Sequence, residues 1–142
     1  MDRIVLDTNC LIASLSRRGN YYNVWKSLQD GVYTLCVSNE ILEEYEEILT
    51  LKTNAVIASN VLQLLINLPN VELVDPHYHF NIIREDYDDN KFTDCAAVVN
   101  AKYIVSNDKH FNEVSLLDFP PLCVIDLKTF SLMLASITNV KA

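Results

Sequence analysis

The sequence predicts an α/β domain: three layers, α/β/α, around a mostly parallel central sheet of about five strands. Three observations carry this. Short apolar, partly β-branched runs alternate with longer stretches of helical periodicity. Two of the short runs end alike, with Ile4-Val5-Leu6 entering Asp7-Thr8-Asn9 and Tyr103-Ile104-Val105 entering Ser106-Asn107-Asp108. The chain has 142 residues, half of them hydrophobic, which suits one domain with a sizeable core.

The elements follow in order. Ile4 to Leu6 are three apolar residues, two of them β-branched, and read as a short buried strand. The small polar residues after Asp7 can start a helix. Gly31 ends a second helical stretch, which Tyr21, Tyr22 and Trp25 pack, and Val32 to Val37 is the second strand. Ser38 is the N-cap of a helix in which Ile41, Leu42, Tyr45, Ile48 and Leu49 form one apolar stripe. A further helix covers roughly Asn54 to Leu68 and stops at Pro69. Val71 to Val74 is a third strand, and Asp75 to Asp89 an irregular connection or short helix. Asn90 to Ala101 is helical, with Phe92, Cys95, Ala96 and Val99 on one face. Tyr103 to Ser106 and Leu122 to Ile125 are the fourth and fifth strands, and Asp126 caps a last helix. A frayed tail is expected from about Ile137, giving one domain over 1–136 and a tail over 137–142.

Composition excludes several classes. No apolar run approaches the ~20 residues needed to span a bilayer. Met1-Asp2-Arg3-Ile4 carries an acid and enters a strand, unlike a signal peptide, so cytoplasmic residence is the expectation. Cys10, Cys36, Cys95 and Cys123 are widely spaced in apolar contexts and read as buried reduced thiols, not zinc ligands. A net charge of −8 argues against a general nucleic-acid binder but not against a nucleic-acid enzyme with a metal among its acids.

Open α/β sheets build their sites at the carboxyl edge. Asp7 and Asp108 both stand there, which suggests a divalent-metal site. Which acids join them? On the helix after Ser38, Glu43 and Glu47 point to water, while Glu44 and Glu46 flank the apolar stripe on either side. Glu44 is nearer the helix start, hence nearer the strand ends. On the helix after Asp89, Asp89 falls within about 70° of the apolar face if it belongs to the first turn. Asp94 falls opposite, near Val98 and Ala101. Spacing prefers Asp89, and Asp94 stays open because that helix is apolar nearly all round.

At these residues the chain resembles the PIN domain, a metal-dependent ribonuclease fold. The matching segments are IVLDTNCLI, SNEILEEYEEIL, DDNKFTDCA and AKYIVSNDKHF, spanning Ile4 to Phe111. They are similar to the branch of toxins from bacterial toxin–antitoxin pairs, where D-D-x-x-F-x-x-x-A precedes a strand ending in T/S-x-D. The resemblance implies an acidic set of Asp7, Glu44, Asp89 and Asp108, with Asp94 as a further acid. It also implies orienting roles for Asn9 and Ser106. Cations near the site are few: Arg17, Arg18, Lys91, Lys102 and Lys109, of which Lys109 is the candidate for positioning substrate.

Mg²⁺ or Mn²⁺ suits such a set, because both prefer oxygen ligands. A metal-activated water attacking phosphate yields a 5′-phosphate and a 3′-hydroxyl. Asp7 is then the central ligand, Asp89 and Asp108 complete the cluster, and Glu44 orients water or a second ion. An RNA substrate and an antitoxin covering the cleft are the implied partners. The slightly positive mean hydropathy of +0.11 adds a homodimer. Each acid also has a plainer reading: Asp7 as a helix cap, Glu44 and Asp94 as surface acids, Asp89 and Asp108 as turn or loop acids. His77 and His79 form an H-x-H pair without a third partner nearby, and His110 reads as structural. Two other classes stay on the table. One is a catalytically silent PIN-like module that binds protein or RNA. The other is a phosphoacceptor receiver domain, disfavoured because the second and third strands end in Val37 and in Val74-Asp75.

Overall fold

The computed structural model describes residues 1–75, 90–109, 111 and 122–141, with side chains through residue 137 in the last helix. In chain order the elements are β1 (Arg3–Leu6), α1 (Thr8–Ser14), α2 (Tyr22–Gln29), β2 (Thr34–Val37), α3 (Asn39–Lys52), α4 (Ala55–Asn67), β3 (Val71–Leu73), α5 (Asn90–Val99), β4 (Tyr103–Val105), β5 (Val124–Ile125) and α6 (Leu127–Lys141). They build a three-layer α/β/α domain around one five-stranded sheet of order β3-β2-β1-β4-β5. Every neighbouring pair is parallel. This is not the 2-1-3-4-5 order of the flavodoxin-like folds to which receiver domains belong, so the phosphoacceptor reading falls.

β1 is central, and Ile4, Val5 and Leu6 are all buried, as a strand covered on both faces must be. Ile4 aligns with Tyr103, Val5 with Ile104 and Leu6 with Val105. The Asp7 N–H continues the ladder to the Val105 carbonyl at 3.1 Å. The chain leaves β1 toward β2 and leaves β4 toward β5. The two connections therefore diverge between β1 and β4, where such sheets open a crevice at their carboxyl ends.

The helices pack as their stripes dictate. α3 lies on α4, α2 on α6, and α5 against β1, β2 and β4. Ile41, Tyr45 and Leu49 are the fully buried positions of the α3 stripe. Ser38 caps that helix by accepting from the Ile41 N–H, and Asn54 caps α4 through Ile57. Tyr33 packs edge-on against Phe130 of α6, ring centroids 5.1 Å apart. The Asn70 amide donates to the carbonyls of Leu28 and Tyr33, both at 2.8 Å, tying the end of α2 to the approach of β2.

Several boundaries differ from the sequence reading. β2 begins at Thr34 because the Val32 N–H is taken by the Ser27 carbonyl behind α2, with Gly31 at φ +77° making the left-handed exit. β5 shrinks to Val124–Ile125. The backbone of α6 is helical through Lys141. Cys10, Cys36 and Cys95 are buried free thiols, but Cys123 is exposed, since it lies just before β5 and not within it. Residues 76–89, 110, 112–121 and 142 lie outside the described residues, and with them Asp89, His77, His79 and His110. Among the described residues no helix is long and apolar enough to cross a membrane.

Candidate active site

β1 delivers Asp7 to the crevice, and the chain turns there at φ −68°, ψ 163° into α1. Asp7 Oδ1 accepts from the Cys10 N–H at 2.8 Å, so the acid does cap the helix. Its Oδ2 accepts from the Ser106 hydroxyl at 2.5 Å. Each carboxylate oxygen has two lone pairs, so capping leaves accepting capacity on both. The residue is 7% exposed. Burial pushes its carboxyl above the usual range, donors at Ser106 and Cys10 pull it back, and the charge of Asp108 adds to the push. Both acids follow paired strand ends, Leu6 beside Val105, and Ser106 is hydrogen-bonded to each of them.

Ser106 links them. Because Leu6 aligns with Val105, the next residues, Asp7 and Ser106, emerge side by side. While its hydroxyl donates to Asp7, its oxygen accepts from the Asp108 N–H at 3.0 Å. Asn107 fastens the same loop to α6 by accepting from the Leu127 N–H at 3.0 Å. Asp108 and Lys109 are exposed at the crevice rim. Replacing Ser106 with Ala removes both links. We expect about 10- to 100-fold weaker divalent-ion binding, the usual loss when a ligand's hydrogen-bonded support is removed. Calorimetry with Mn²⁺ reads it, and unchanged affinity in a folded variant would take Ser106 out of the site.

Glu44 reaches the crevice from the second turn of α3. Glu46, its counterpart across the stripe, is exposed, whereas Glu44 is half-buried. One Glu44 oxygen accepts from the Thr8 hydroxyl, and the other lies 2.7 Å from the Lys91 ammonium of α5. Asp94 is 3% exposed, so it is not a surface acid. The first turn and a half of α5 is covered on all sides, including the side away from Phe92. Asn9 is exposed and its side-chain carbonyl accepts from Lys52 of α3 at 3.3 Å. Asp89 lies outside the described residues. Thr8 and Lys52 are contacts the sequence reading missed. Thr8 had read as a helix-start residue, and nothing in the spacing ties residue 8 to residue 44.

Do these residues suit a divalent ion? Among the described residues no group of three His, Cys, Asp or Glu forms a closed cage. Mg²⁺, however, is usually held by one or two carboxylates and keeps several waters. Asp7 and Asp108 provide that pair with hard oxygen donors. A buried carboxylate whose proton affinity is raised gains most when a cation arrives to stabilise its charge. The residues present fit such an ion.

A family model described as a PIN domain matches residues 3–110. Among solved structures the chain is similar to VapBC2 from Rickettsia felis bound to a DNA fragment from their promoter, at TM-score 0.61 and 19% identity, over 87% of this chain and 98% of that one. It is also similar to DNA-bound VapBC from Salmonella typhimurium, at TM-score 0.60 and 16% identity, over 89% and 99% of the two chains. VapBC-1 from nontypeable Haemophilus influenzae gives TM-score 0.58 and 16% identity, over 89% and 98%. At these identities the likeness shows a shared fold. No curated protein sequence matches significantly.

Proposed function

The chain belongs to the PIN domain family, and on that premise we propose that it is a metal-dependent endoribonuclease of single-stranded RNA, the toxin of a toxin–antitoxin pair. The observation that carries this is the nearly buried Asp7, joined through Ser106 to Asp108 where the sheet connections diverge. Asp7, Asp108 and Asp89 would hold Mg²⁺ or Mn²⁺. When bound, the ion activates a water and neutralises charge developing on the phosphate. Ser106 holds Asp7 in orientation and fixes the backbone at Asp108. Asp94 is the further acid of the set, Glu44 stands at its α3 side, and Lys109 and Asn9 at the rim position the RNA backbone. Cleavage leaves a 5′-phosphate and a 3′-hydroxyl.

The partner reading draws on the same fold in three VapBC structures, two of them DNA-bound. An antitoxin covers the crevice, and Leu51, Val56, Ile57 and Ile66 of α3 and α4 are apolar side chains left exposed. Action in the cytoplasm follows from that reading.

The test is cleavage of a fluorescent single-stranded RNA by the isolated chain with Mg²⁺, Mn²⁺ or EDTA. Cleavage with either ion, abolished by EDTA and giving 5′-phosphate ends, is the expected result. Cleavage that persists in EDTA would overturn the metal mechanism. A chain that neither cleaves nor binds either ion would be the silent interaction module.

A further inference from the structure

Glu44 is engaged on both oxygens, and from two different elements. Thr8, the residue directly after Asp7, donates from the start of α1. Lys91 supplies an ammonium from α5 at 2.7 Å. Three other ion pairs of the described residues differ from it. Arg3–Glu72, Lys26–Asp30 and Lys102–Asp2 have side chains at least 40% exposed. The Lys91 and Glu44 side chains are 14% and 22% exposed. Solvent-exposed pairs are worth little, but a pair shielded from water is screened far less. The ammonium is further located by the ring of buried Phe92, 5.8 Å away.

Consider what a cation meets here. Through the Thr8 hydroxyl, Glu44 is tied to the residue directly after Asp7, on the α3 side of the acidic pair. Yet its charge is already answered by a tethered ammonium. A divalent ion at Glu44 has to displace Lys91, leaving that ammonium shielded and unpaired, which is costly. Accepting the Asp7–Asp108 crevice as a divalent-ion site, we infer that Lys91 is a built-in cation that occupies Glu44 and limits the centre to a single metal ion. Lys91 is thus a positioning residue. It keeps Glu44 oriented toward Thr8 and withholds it from metal.

Mn²⁺ calorimetry on the full chain tests this. The native chain is expected to bind one ion. Lys91→Met, similar in length but neutral, frees Glu44 and is expected to bind two, about 4 Å apart. Exchange-coupled Mn²⁺ spins in the EPR spectrum report that proximity. Lys91→Arg keeps the cation and should return to one, as should the double variant Lys91→Met with Glu44→Gln. A purely structural lysine would change melting temperature without changing stoichiometry. Two ions in the native chain overturn the inference whatever the variants do, and so does a single ion in a folded Lys91→Met. No ion in the native chain overturns the metal site itself, which separates the two failures.

Discussion

Asp7→Asn is expected to abolish metal-dependent RNA cleavage, by at least about a thousandfold, while the chain stays folded. The loss follows from the several kcal/mol of charge stabilisation that a catalytic ion supplies, at 1.36 kcal/mol per tenfold. An amide cannot supply the second negative charge that the pair of acids offers. The fold survives because Asn is as good an N-cap as Asp, so the Cys10 N–H keeps its acceptor. The amide nitrogen facing Ser106 becomes a donor. Ser106 Oγ can take it, since it has two lone pairs and Asp108 N–H uses one. Full activity in this variant would remove Asp7 from the centre of the site.

The same substitution has an opposite effect on stability. In the folded chain burial raises the Asp7 carboxyl above its ordinary value. The folded state therefore holds the proton more tightly than the unfolded state. Stability from this group is fully present below the unfolded value of 3.8 and falls as pH rises through the raised one. At neutral pH without metal the native chain carries the cost of a buried charge, and the Asn variant does not. Calorimetry at pH 7 in EDTA should show Asp7→Asn melting higher than the native chain. The gap should close toward pH 4. Saturating Mn²⁺ should reverse the order by stabilising only the native chain. A gap independent of pH would mean that the Asp7 charge is not what costs stability.

How much of this was legible beforehand depends on what kind of signal each feature sends. Periodicity is local, so the α3 stripe and the caps at Ser38 and Asp126 could be read directly, and they recur in the structure. Strand ends were less legible. Val32 looks like strand, but whether it pairs depends on whether Ser27 claims its N–H, which the sequence does not announce. The closeness of Asp7 and Asp108 followed from two strands ending alike, though their adjacency required β1 and β4 to be neighbours. The choice between Glu44 and Glu46 rested on distance along the helix. The structure shows the asymmetry as burial, with Lys91 covering one flank. Asp94 illustrates the limit. A helical wheel gives its direction, but only the packing of α5 against β1, β2 and β4 shows that its far side is covered too.

Tyr45→Ala should cost the most stability of any single truncation on the α3 stripe that also touches the site. Tyr45 is fully buried, and its hydroxyl donates to the Leu6 carbonyl at 2.6 Å. Burial holds the phenol well above its ordinary range, so it remains a donor throughout the working pH. Removing the ring leaves a cavity against β1 and is expected to cost about 3–5 kcal/mol, the range for large aromatic truncations. That is a large share of a typical domain's 5–15 kcal/mol. Tyr45→Phe keeps the ring and strips only the donor, at about 1–3 kcal/mol for the carbonyl left behind. Urea denaturation of the two variants separates packing from hydrogen bonding. Leu6 is the residue before Asp7, so the Phe variant should also lose cleavage rate under conditions where it is fully folded. Cooling should not restore that rate, since what is lost is the fixed angle at which β1 presents its acid. If Tyr45→Phe cleaves as the native chain does, the hydroxyl serves the core alone, and the aim of Asp7 rests on Ser106 and the α1 cap.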